Sequence, residues 1–94
     1  MVPRDAKISR HPKVVHRELS DGEGAVLLNL ESGAYYGVNE VGAVIWSLLD
    51  GTRTLAEVVD ELRGRLQDVP DALDADVQAF LSDLQQRNLI VLQG

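Results

Sequence analysis

An α+β fold, with a three-stranded antiparallel sheet followed by three helices, is what this sequence predicts. Two observations carry it. Between Ala25 and Val38 the apolar residues alternate as on strands, interrupted by a turn that contains Gly33. From Asn39 onward the apolar spacing turns helical, and it stays so to Leu84 with one break around Pro70.

The first strand is placed at Val14–Leu19, after a polar stretch from Lys7 in which Pro12 marks a bend or an edge. Residues 1–6 are expected to fray. A turn is expected at Asp21-Gly-Glu-Gly24. The second strand covers Ala25–Leu30 and the third Ala34–Val38, joined by Glu31-Ser-Gly33, where Gly33 supplies the positive φ of a three-residue hairpin loop. Pairing Leu30 with Ala34 puts Val26, Leu28, Leu30, Ala34, Tyr36 and Val38 on one face. Leu27, Asn29, Tyr35 and Gly37 fall on the other. The first set is more apolar and is expected to face the core, although a slip of one residue would invert it.

Asn39 is a good N-cap for the first helix, whose Val41, Val44, Ile45, Leu48 and Leu49 share a stripe and whose stop is expected at Gly51. Gly42 inside this helix weakens it, which implies close packing against a neighbour. After the linker Gly51-Thr-Arg, the second helix opens with the capping box Thr54-Leu-Ala-Glu57 and carries Leu55, Val58, Val59, Leu62 and Leu66. The third helix takes Asp71 or Asp74 as N-cap, shows Leu73, Val77, Phe80, Leu81 and Leu84 on its apolar side, and ends at Asn88. Leu89-Ile-Val-Leu92 follows as a short strand added to the sheet. The first two helices resemble a helix-turn-helix core, so the architecture is winged helix-turn-helix-like.

Ninety-four residues without a break in composition make one domain, residues 1–94. A chain of this size buries roughly 60–70 % of its unfolded surface, enough for one core. Cysteine is absent, which excludes disulfides, thiolate metal sites and cysteine nucleophiles and fits a reducing cytosol. Met1-Val-Pro-Arg-Asp lacks the apolar core of a secretory signal, and no apolar run nears the roughly 20 residues of a membrane span. The expected location is the cytoplasm.

Charge narrows the partners. Nine Lys and Arg stand against 15 Asp and Glu, a net of −6. The third helix carries Asp74, Asp76 and Asp83 against the single cation Arg87, a surface that repels phosphate and argues against nucleic acid. Neutral or basic ligands fit better. No active site emerges either. His11 and His16 share no helix face, Ser32 lacks a nucleophile elbow, and Gly22 and Gly24 precede no helix that could cradle phosphate. Neither a catalytic residue, nor a metal site, nor a cofactor is expected.

What remains is a short strand that ends a sheet, beside a wide apolar helix. An edge strand exposes unpaired N–H and C=O groups, so it must be protected or must serve as a docking site. An extended peptide pairing with Ala34, Tyr35, Tyr36, Gly37 and Val38 would set alternate side chains against the third helix. Val77, Phe80, Leu81 and Leu84 are the candidate apolar contacts, and Asp76 and Asp83 on one flank are candidates for basic peptide residues.

The run Leu28-Asn-Leu-Glu-Ser-Gly-Ala-Tyr-Tyr-Gly-Val-Asn-Glu-Val-Gly42, with Ile45-Trp46, Leu49-Asp-Gly51 and Thr54-Leu-Ala-Glu57, resembles the PqqD-like domains, also called RiPP recognition elements. The resemblance extends from about Ala25 to Leu92 and is strongest to the stand-alone leader-binding proteins of split lasso-peptide systems. It implies a protein without chemistry of its own, which binds the leader region of a ribosomally made precursor and hands it to a leader-cleaving cysteine protease. It also implies that the leader adds a strand to the third strand and packs against the third helix. A leader that is basic and partly apolar is the expected partner, with no nucleic acid and no membrane. Two alternatives stand beside this reading: a carrier of the quinone-cofactor precursor peptide, and a winged-helix transcriptional regulator.

Overall fold

The computed structural model describes residues 2–19, 24–66 and 68–93. Its elements run β1 (Lys7–Arg10), β2 (Val14–Glu18), β3 (Ala25–Asn29), β4 (Tyr35–Val38), α1 (Glu40–Ser47), β5 (Asp50–Thr54), α2 (Leu55–Arg65), α3 (Leu73–Gln86) and β6 (Ile90–Gln93). The expected meander is β2–β3–β4, antiparallel throughout, and the three helices follow it. The fold is therefore α+β as the spacing predicts. The turn expected at 21–24 lies, apart from Gly24, outside the described residues.

A second sheet, ordered β5–β1–β6, has no counterpart in the sequence reading. Lys7 to Arg10 pair with Gln93 to Ile90 on one side, and Lys7 and Ser9 face Thr54 and Asp50 on the other. The carboxy-terminal strand thus joins β1 rather than the meander. The stretch read as a linker, Gly51-Thr-Arg, is part of β5, and α1 stops at Ser47 instead of at Gly51. Leu48 closes the helix with its N–H on Ile45 O, and Leu49 is already committed to β1 through a bond from Arg10 N–H at 3.2 Å. Only Ile8 of β1 is buried, so these polar strands exist through pairing rather than propensity.

The pairing of β3 differs from the expected one by one residue. Leu28 faces Tyr35 and Leu27 faces Tyr36, so Ala25, Leu27 and Asn29 point inward and Val26 and Leu28 outward. Leu30, expected in the core, is 62 % exposed in the turn. The cause is Asn29, which is 2 % exposed. Its Oδ1 accepts from the Glu31 and Ser32 N–H groups at 2.8 and 3.1 Å, and its Nδ2 donates to Asn88 O at 3.1 Å. Asn29 therefore ties a loop one residue longer than expected to the far end of α3, and this outweighs the apolar count on which the sequence reading relied. The inward assignment of Tyr36 and Val38 on β4 stands.

The local helix signals are realised except at the Gly51 stop and at the start of α3. Asn39 Oδ1 accepts from Gly42 N–H at 2.8 Å, and Thr54 and Glu57 form a reciprocal capping box. Asn88, at φ 59°, closes α3 in a Schellman motif, with Leu89 N–H on Leu84 O and Asn88 N–H on Gln85 O. At the start of α3, however, Ala72 holds the N-cap position without a side-chain bond. Asp74 lies inside the first turn, with its carboxylate 3.6 Å from Arg63 of α2. Both sheets and all helices share one core, centred on Trp46, Leu49, Leu62, Leu81 and Leu84. Residues 2–6, expected to fray, pack onto it: Val2 is buried, and its N–H and C=O are both bonded by Gln78.

Candidate functional site

β4 forms an edge of its sheet, and among the described residues no strand pairs with its outer side. Asn29 N–H donates to Ala34 O at 2.9 Å, which fixes the phase of the ladder. In an antiparallel pair bonded and non-bonded positions alternate, so Tyr36 and Val38 bond to β3 while Tyr35 and Gly37 turn their N–H and C=O groups outward. Two donors and two acceptors therefore line the open edge. The Tyr35 side chain stands on the outer face of the sheet, 76 % exposed.

On the inner side of this edge lies α3. Tyr36 donates its hydroxyl to Asp83 Oδ2 at 2.7 Å, and Arg87 Nε donates to Asp83 Oδ1 at 3.0 Å. The Arg87 guanidinium also stacks on the Tyr36 ring, 4.8 Å from its centre. Both hydrogen bonds hold the Asp83 carboxyl below its ordinary 3.8, the Tyr36 bond most. The same bond, with burial, raises the Tyr36 phenol above 10.0. This triad ties β4 to α3 and forms one end of a groove.

Beyond Asn39 the groove meets a cleft of about 360 Å³ between α1, α2 and α3, which no residue of β4 lines. Ile45, Leu62, Leu73 and Val77 form its floor, and Val41, Leu66, Phe80, Asp68 and Asp76 its rim. Gly42 makes room for Phe80, since a Cβ there would stand 3.2 Å from Phe80 Cζ. The close packing expected at Gly42 is thus the seat of this aromatic ring.

The structure divides the expected site residues. Ala34, Tyr35, Tyr36, Gly37 and Val38 lie along or beside the edge, with Phe80 and Asp76 at the cleft. Val77, Leu81 and Leu84 are at most 1 % exposed and belong to the core, so of the apolar residues named on α3 only Phe80 offers a partly open surface. Asp83 is occupied by Tyr36 and Arg87. The sequence reading noted Arg87 among the charges of α3 without choosing it for the site, and it missed Val41 and Leu66 at the cleft. Val41 is 39 % exposed on an otherwise inward stripe, and no spacing rule separates it from the core. Among the described residues no cluster of three or more His, Cys, Asp or Glu could hold a metal ion, and no helix is long and apolar enough to cross a membrane.

Comparison with known proteins bears on this geometry. The profile of the family described as "Coenzyme PQQ synthesis protein D (PqqD)" matches residues 24–90. A PqqA binding protein of Pseudomonas syringae pv. syringae is 40% identical over 55 residues, covering 58% of this chain and 57% of its own length. The chain thus spans little more than half of that relative. Among solved structures, TbiB1 in complex with the TbiA(beta) leader peptide is 29% identical, with a TM-score of 0.73 over 87% of this chain and 93% of that one. A lasso peptide synthetase B1 complexed with a leader peptide, 22% identical, shares the fold at a TM-score of 0.74 over 92% and 99% of the two chains.

Proposed function

The chain belongs to the PqqD family, and from that premise we propose that it is a non-catalytic adaptor for the leader region of a ribosomally made precursor peptide. One observation carries this reading: β4 is an edge strand whose Tyr35 and Gly37 turn their N–H and C=O groups outward, an open ladder that suits an extended chain better than a small molecule. The leader adds as a strand to β4. Its inward side chains meet Phe80, Tyr36 and the mouth of the cleft, while Val77, Leu81 and Leu84 support these contacts from below. Main-chain pairing supplies general affinity, and one or two apolar anchors supply most of the selectivity. The likeness to leader-bound TbiB1 supports leader binding. The resemblance of the sequence to split lasso-peptide systems gives the setting, in which the adaptor presents a basic, partly apolar leader to a leader-cleaving cysteine protease in the cytoplasm.

The 40% identity to a PqqA binding protein favours a second reading, a carrier of the quinone-cofactor precursor. Titration of the whole chain by calorimetry and by amide NMR with two peptides separates them: the TbiA(beta) leader, and PqqA. Binding of the first with amide shifts at Tyr35 and Gly37 supports the lasso reading. Preference for PqqA transfers the same groove to the other pathway. Binding of either peptide without change at β4 overturns the site.

A further inference from the structure

The groove between β4 and α3 is electrically unequal along its length. At the Tyr35–Tyr36 end stands Arg87, half exposed yet held in place by its stack on Tyr36 and by the bond from Nε to Asp83. Only Nε is spent in that bond. Among the described residues the two terminal nitrogens bond to no partner, and they form a planar fork suited to a carboxylate. At the other end, past Val38, Asp76 lies on the rim of the apolar cleft with no ion pair among the described residues. Its neighbour Asp74 is engaged with Arg63. Asp76 and Arg87 are 11 positions apart on one helix, about 16 Å at 1.5 Å per residue. An extended peptide covers that span in about five residues.

We propose that this groove reads the order of charge in its peptide, taking a carboxylate at Arg87 and a lysine or arginine about five residues away at Asp76. The inference rests on strand addition to β4 and names what the same site selects. Direction follows from the sheet. β4 runs from the Arg87 end to the Asp76 end, so a strand that continues the antiparallel pattern runs the other way. Its cation then precedes its carboxylate. A leader that is basic overall meets this demand if it carries one acidic residue downstream of its cation, and Phe80, between the two charges on α3, takes an apolar side chain.

The test is selection from a display library of random 12-residue peptides against the whole chain and against Arg87→Glu and Arg87→Gln. Thermal melts would check that each variant is folded. The wild-type pool is expected to be enriched in sequences with Lys or Arg about five residues before Asp or Glu. A selected peptide should bind about 3- to 10-fold more tightly than its mate of equal composition with the two charges exchanged. Arg87→Gln should reduce that ratio to below about twofold, and Arg87→Glu should erase or reverse it. Pools enriched in peptides that show no charge order, or a ratio unchanged in both variants, overturn the charge reading and leave strand addition standing. Failure to enrich any peptide in any pool overturns both.

Discussion

Gly37→Pro separates the open edge from the sheet it belongs to. Because 27/36 and 25/38 are the bonded pairs, the Gly37 N–H points away from β3, and proline there deletes no bond within the protein. No atom lies within 4 Å of the place a Cβ would take, and edge strands accept proline when its nitrogen faces outward. Stability is expected to change by no more than about 1 kcal/mol. For an incoming strand the effect is larger. One of the two donors on the edge disappears, a loss of about 1 kcal/mol, and the peptide carbonyl left without a partner adds about as much again. Together these predict affinity about 30-fold weaker, as 1.4 kcal/mol is a factor of ten. Calorimetry with the tighter-binding of the TbiA(beta) and PqqA peptides, paired with a thermal melt, reads both quantities. A variant that melts like the parent and binds within about twofold of it would refute strand addition at β4.

Phe80→Ala leaves the core beneath it intact, so binding should weaken at least about tenfold while stability falls by about 1–2 kcal/mol, measured by the same two methods. Leu84→Asp, by contrast, buries a charge and should yield an unfolded chain by circular dichroism. Asn29→Ala releases the loop and strands Asn88 O, for a cost of about 2 kcal/mol and a melting temperature about 10 °C lower. The Tyr36–Asp83 bond has a pH window. The lowered Asp83 pKa means its contribution is present above the ordinary 3.8 and lost as pH falls through the folded value, and the raised Tyr36 pKa means it is lost again as pH climbs past 10.0. The stability gap between wild type and Tyr36→Phe should therefore be widest between these limits and close at both ends, and a gap that is flat with pH would contradict the bond.

Where a residue's role is local, the sequence revealed it. Asn39, the Thr54–Glu57 box, Gly33 and Asn88 act on their own backbone neighbours, so spacing and residue type suffice to find them. The alternation over β4 and the helical stripes were equally legible. Apart from the start of α3, where Ala72 and not an aspartate holds the N-cap, the failures have one physical origin, which is partnership at a distance. β1 and β5 are polar and are made strands by each other and by β6. The register of β3 is set by a bond from Asn29 to Asn88, 59 positions away. The apolar side of α3 is wide because it fills the core, and a stripe alone does not say which of its members reach the surface. Phe80 does so because Gly42 lies opposite it. Arg87 joins the groove only through Tyr36 and Asp83, a triangle that spans two elements.

The pairing of Lys7 with Gln93 sets the first and last strands side by side in the sheet that lacks β4. Residues 2–6 run on from β1 to α3, where Gln78 clasps Val2. The strand that opens the fold is thereby moored at two places, neither of them on the docking edge.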